Sequence, residues 1–203
     1  MVLQPADLAP GAVSGVHGYI APPKGLTAQY EAEFTTASSP DGVSYSLLAD
    51  DVTLGPTASA SSAYFVSERK SIASTKGRRK IVRSIISGAK KADHVKAKDF
   101  KFSGAGSAGV GISSYIETLT ISIKHRKVRE VLVAFDDGTV EAELVLAGNV
   151  NERIPRSDAT GLAETIDMHI QSVLATGATG PSGASGASGA SGASGTSGAS
   201  GST

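Results

Sequence analysis

The sequence predicts a mainly β, α+β fold: an antiparallel β-meander with an N-terminal hairpin and one C-terminal helix, completed by dimerisation. Three observations carry it. Apolar and polar residues alternate with a period of two over Leu26–Phe34 and again between Thr118 and Leu146. Turn chemistry at Ser39-Pro40-Asp41-Gly42 and Asp136-Asp137-Gly138 separates these runs. A single apolar stripe at helical spacing then closes the folded part, through Leu162, Ile166, Ile170, Val173 and Leu174.

Residues 1–25 hold four prolines, Pro5, Pro10, Pro22 and Pro23, and read as an irregular N-terminal arm. In the first strand Leu26, Ala28, Tyr30, Ala32 and Phe34 face one way, and Thr27, Gln29, Glu31 and Glu33 the other. Val43, Tyr45 and Leu47 resume the alternation after the turn, giving the opening hairpin. Ala63–Ser67 is expected as a further short strand. Residues 78–92 fit either a helical stripe through Ile81, Val82, Ile85, Ile86 and Ala89, or a strand pair broken at Gly88. The β-branched content tips that reading towards strand. His94–Phe102 is charged and reads as extended, and Thr118–Ile123 alternates cleanly. Val128–Phe135 and Val140–Leu146 form a hairpin around the Asp-Gly step. The helix follows Pro155, with Ser157 as its expected cap, Asp158 in its first turn and Gly177 at its end. Such a helix, about 27 Å long, covers only part of one face of a five- or six-stranded sheet. A second copy of the chain is the expected completion. The folded domain thus spans residues 26–176.

From residue 177 glycine recurs at every third position to Gly201, formally nine Gly-X-Y triplets. Pro181 is the only imino acid among them. Residues 177–203 therefore read as a flexible Gly/Ala/Ser tether, with a collagen-like trimerising tail as the alternative.

Charge carries the main functional signal. The chain has 19 basic and 19 acidic residues, yet 16 of the basic ones lie between Arg69 and Arg129. Only Asp93, Asp99 and Glu117 oppose them there, leaving +13 over 61 residues. Segregation of this kind points to a polyanion partner. Two clusters supply the candidate RNA-binding residues: Arg78, Arg79, Lys80 and Arg83, then Lys124, Arg126, Lys127 and Arg129. Few aromatics accompany them (Phe100, Phe102, Tyr115), which favours phosphate contact over base stacking.

Other chemistry finds little support. There is no cysteine, so disulfides and thiolate sites are excluded. His17, His94, His125 and His169 lack metal-ligand spacing. Gly104-Ala105-Gly106-Ser107-Ala108-Gly109 spells GxGxxG, but the lysine-bearing segment before it does not suit a buried parallel strand. Asp50-Asp51 and Asp136-Asp137 read as turns rather than acid pairs. The chain is read as a non-enzyme with no catalytic residue, metal, cofactor, membrane contact or small-molecule substrate. With no leader or apolar span visible, it is expected to be soluble and made inside a cell.

Three passages resemble the coat proteins of single-stranded RNA bacteriophages (levivirus-like). Ser67-Glu68-Arg69-Lys70-Ser71 with Lys76–Arg83 is similar to that family's basic strand pair. Ala142–Leu146, followed by Arg153-Ile154-Pro155-Arg156-Ser157 and the helix, resembles its last strand and helix entry. The Asp41-Gly42 hairpin fits its opening. The resemblance covers about half of residues 26–176 as pattern. It implies a capsid subunit that dimerises, assembles into a shell and packages RNA on a basic inner face, in a virion assembled in the host cytoplasm. The Lys90–Ser114 region and the tail depart from the family, and no second C-terminal helix is evident. The rival readings are a fibre or tail protein trimerised by the Gly-X-Y segment and, last, a nucleotide-binding enzyme using the Gly104–Gly109 loop.

Overall fold

The computed structural model describes residues 1–88, 96–123, 126–149 and 154–176. Its centre is an eight-stranded antiparallel sheet. The strands are β1 (Val13–Ile20), β2 (Ala28–Ser38), β3 (Ser44–Tyr45), β4 (Leu47–Leu54), β5 (Phe100–Gly106), β6 (Ser113–Ile123), β7 (Arg126–Asp137) and β8 (Val140–Asn149). Their order is β1-β2-β4-β8-β7-β6-β5, with the short β3 beside β2. Three helices complete the described residues: α1 (Ala58–Ala73), α2 (Thr75–Gly88) and α3 (Arg156–Ala175).

The predicted antiparallel, mainly β architecture with a C-terminal helix is present, and both turn signals hold. Asp137 pairs with Val140 across a two-residue connection, in which Gly138 takes a φ of 62° that other residues resist. Several expectations need correction. Residues 13–20, expected in an irregular arm, form the edge strand β1. Ala63–Ser67 lies inside α1, and residues 75–88 form α2 rather than strands. The tertiary environment explains the outcome: Val82 and the inward side of Ile81 pack towards the sheet, while the charged positions turn outward. The single meander is accordingly split, because α1, α2 and β5–β7 are inserted between the paired strands β4 and β8. Asp50 and Asp51 sit mid-strand, not in a turn. Within α3, Pro155 occupies the cap position, whereas Ser157 is already helical. Asp158 instead accepts hydrogen bonds from Ser39 Oγ at 2.9 Å and Tyr45 OH at 3.3 Å.

Alternation assigns each sheet face its layer. Phe34, Leu48, Leu144, Leu146, Val131, Val133 and Phe135 pack against Leu162, Ile166 and Ile170 of α3, forming the main core. The other face carries a smaller apolar cluster, Phe65 of α1 with Tyr115 and Ala134, beside Ile72 and Leu132. The helical pair α1–α2 therefore covers the face for which a second copy of the chain was expected. The tail, residues 177–203, lies outside the described residues.

Candidate functional site

The local sequence that turns α1 into α2 is compact. Thr57 caps α1 by accepting from Ala60 N at 3.1 Å. Ser74 ends α1 and begins α2: its N–H reaches Lys70 and Ser71 carbonyls, and its Oγ accepts from Gly77 N at 2.9 Å. Gly77 is required there, because a Cβ would lie 1.6 Å from the Ser71 carbonyl oxygen.

This junction sets the phase of α2. Lys76, Arg79, Lys80 and Arg83 are all exposed, and their spacing of three and four places them on one continuous helix face. Arg78 turns the other way. Its guanidinium donates to Glu117 Oε1 on β6 and lies 5.0 Å from the Phe102 ring centroid. Glu117 also accepts from Tyr115 OH at 2.7 Å, and burial with that bond pushes the Tyr115 phenol up to about 12. Arg78 is thus a structural tie between α2 and the sheet.

Between α2 and β5 runs a groove of about 520 Å³. Arg78, Arg79, Val82, Arg83 and Ile86 of α2 line it, together with Ala97 and with Phe100 and Phe102 of β5. Lys96, Lys98 and Lys101, on the adjoining turn and on β5, are exposed as well. The arrangement offers guanidinium forks for phosphate oxygens next to two aromatic rings.

Of the second predicted cluster, Lys127 and Arg129 do not join the first. Lys127 and Arg129 share the register of Val131 and Val133, hence the α3 side of the sheet, opposite α2. Lys127 is exposed, and Arg129 is half-buried with an unpartnered Nε. Arg126 opens β7 opposite Ile123, and its side chain lies outside the described atoms. Lys124 lies outside the described residues, as do Lys90, Lys91, His94 and His125.

The glycine-rich motif connects two antiparallel strands, with no helix after it. The N–H groups at its end are occupied: those of Ala108 and Gly109, with that of the following Val110, donate to Ser114 Oγ at 3.1, 2.9 and 3.3 Å. An internal hydroxyl fills the place a phosphate would take in a dinucleotide fold.

What the charge count concealed is the opposing acidic face. Asp51 on β4, Glu141 and Glu143 on β8, Glu130 on β7 and Glu117 on β6 share the α1–α2 side of the sheet, and Glu68 of α1 faces them. Burial, then the Asp51 and Glu68 charges, pushes the Glu143 carboxyl up to about 8. Glu141 is likewise raised to about 8, by burial and then by Glu143 and its other acidic neighbours. Burial raises Glu130 and Asp51. The signal was present in the sequence as the alternation Glu141-Ala142-Glu143-Leu144. It marks a polar strand face, but not that helices would cover that face.

No protein-family model matches the chain, and no curated protein does either. Among solved structures it is similar to the extracellular domain of PknH from Mycobacterium tuberculosis, over 72% of this chain and 66% of that one. The identity is 14% and the TM-score 0.46, a level at which neither fold nor function transfers. Among the described residues no helix is long and apolar enough to cross a membrane, and no group of three or more acidic or histidine side chains is arranged to hold a metal.

Proposed function

We propose that the chain is a non-catalytic subunit that binds single-stranded RNA along the outer face of α2. One observation carries the reading: Lys76, Arg79, Lys80 and Arg83 stand exposed on one helix face, and Arg79 and Arg83 share a groove with Phe100 and Phe102. Four cations in a row track a phosphate backbone, and the adjoining rings give a splayed base somewhere to stack. Arg78, Lys127 and Arg129 are dropped from the contact set, since Arg78 is engaged with Glu117 and the other two lie across the sheet.

A capsid role extends this proposal by one property, self-association. The feature that favours it is β1, a sheet edge with no charged residue and with Val13, Val16 and Tyr19 each more than half exposed. The helical pair at residues 58–88 replaces the basic strand pair of the coat resemblance, so RNA contact would come from a helix rather than a sheet face. The fibre reading depends on residues 177–203, which lie outside the described residues.

Filter binding or fluorescence anisotropy with a single-stranded oligoribonucleotide tests the RNA contact. With four phosphates neutralised, log K should fall against log salt with a slope near about −3, from roughly −0.7 per contact. Arg79→Glu with Arg83→Glu should weaken binding at least about tenfold and lower the slope to about −1.4. Unchanged affinity with native circular dichroism would remove this face from the proposal.

A further inference from the structure

Between the α1–α2 pair and the sheet lies a second cleft, of about 300 Å³, which adjoins the basic groove at Phe102 and the Arg78–Glu117 tie. Its walls are apolar, chiefly Ile72 and Ile81 of the helices and Leu119, Leu132 and Val145 of the sheet. Every ionisable side chain lining it is a carboxylate: Glu68, Glu117, Glu130 and Glu143. Glu117 has Arg78 and Tyr115 as partners. Glu143 is half-buried and takes no hydrogen bond or ion pair among the described residues. It borders the cleft. A partly desolvated anion without a counter-ion is costly, and two further acids, Asp51 and Glu68, crowd it.

We propose that this cleft binds a small organic cation with an apolar body, a primary ammonium of the alkylamine kind. The ammonium group sits between Glu143 on β8 and Glu68 on α1, and the body lies along Leu132, Val145 and Leu119 beneath Ile72 and Ile81. The chemistry of the lining selects this class. An anion would meet only like charge, and a neutral apolar molecule would leave Glu143 uncompensated. The described carboxylates are not arranged to hold a metal ion. An ammonium supplies the missing counter-charge and three donors, while its chain replaces water against the apolar walls. The site shares Phe102 with the basic groove but none of that groove's cations.

The test is calorimetric titration of the intact chain at pH 8.5 with n-octylamine, in parallel with n-octanol and octanoate. Saturable one-to-one binding of octylamine, at least about tenfold tighter than either control, supports the site. Glu143→Gln keeps the shape and removes the charge, so it should weaken octylamine about tenfold or more and leave octanol unchanged. Glu68→Gln should weaken octylamine in the same direction, giving a second variant on a different element. Arg79→Glu with Arg83→Glu should leave octylamine affinity unaltered. Equal binding of octylamine and octanol, no saturable binding up to millimolar concentration, or a Glu143→Gln protein that binds octylamine as well as the parent overturns the proposal.

Discussion

A half-buried carboxylate crowded by other acids and without a counter-ion, as Glu143 is on β8, ties the stability of the chain to pH. In the unfolded chain it titrates near 4.5, and in the fold near about 8. The folded state therefore holds more protons between those values, and stability falls as pH rises through that window. The charges of Asp51 on β4 and Glu68 on α1 add to the burial that raises Glu143, and Glu141 of β8, itself raised to about 8 first by burial, contributes the same pH dependence. Asp50, on the opposite sheet face, is raised to about 7 by burial, with Leu3 N donating to Oδ2 at 2.6 Å. Thermal melts should accordingly show a midpoint that declines from pH 5 to pH 8. Glu143→Gln should raise the midpoint at pH 8 by about 5 °C or more and change it little at pH 5. A variant that melts like the parent at both values would show that the fold does not raise the Glu143 carboxyl above its unfolded value.

At the scale of elements, the α1–α2 junction is the sharpest structural constraint. Its tightness depends on Gly77, whose missing side chain lets α2 start against the Ser71 carbonyl. Gly77→Ala should force the helices apart and cost about 2–4 kcal/mol, although alanine is the better helix former in isolation. Denaturant titration reads this directly, and no loss of stability would mean the junction relaxes freely. The same element shows what the sequence reveals and what it hides. Strands β2, β6, β7 and β8 were legible because each has one buried face, which writes a period of two into the chain. Helix α3 was legible for the same reason at period 3.6. In α2 the β-branched run Ile81-Val82 and Ile85-Ile86 fits both periods, and tertiary packing decided between them. For α1, Ala58–Ser62 carries too few apolar residues to signal any period. Of the site, the exposed cations of α2 were legible from composition. The separation of Lys127 and Arg129 from them was not, because strand parity counts only once the neighbouring layers are known.

For the molecule as a whole, the two edges of the sheet behave differently. β5 carries Lys101 and an irregular register between Ser103 and Gly106, both of which discourage another strand from adding there. β1 is also irregular in register, at Val13/Ser14 and Ser14/His17, but it carries no charged residue, and beyond His17 its regular stretch to Ile20 and its exposed Val16 and Tyr19 suit pairing with the same strand of a second copy. Light scattering after size-exclusion chromatography should then report a dimer or larger species, and Val16→Lys should shift it to monomer. A monomeric parent at micromolar concentration would deprive the capsid extension of its assembly surface.

The pairing of β4 with β8, from Leu47 opposite Ala147 to Leu54 opposite Val140, joins segments separated by most of the folded chain. A ribosome must finish β8 before β4 gains its second neighbour, so the first sixty or so residues emerge as an incomplete hairpin layer with one ladder unsatisfied. High contact order of this kind slows the productive search and lengthens the time during which nascent strands can pair wrongly. Chaperone dependence during synthesis, and poor recovery after dilution from urea, are the outcomes expected of that connectivity.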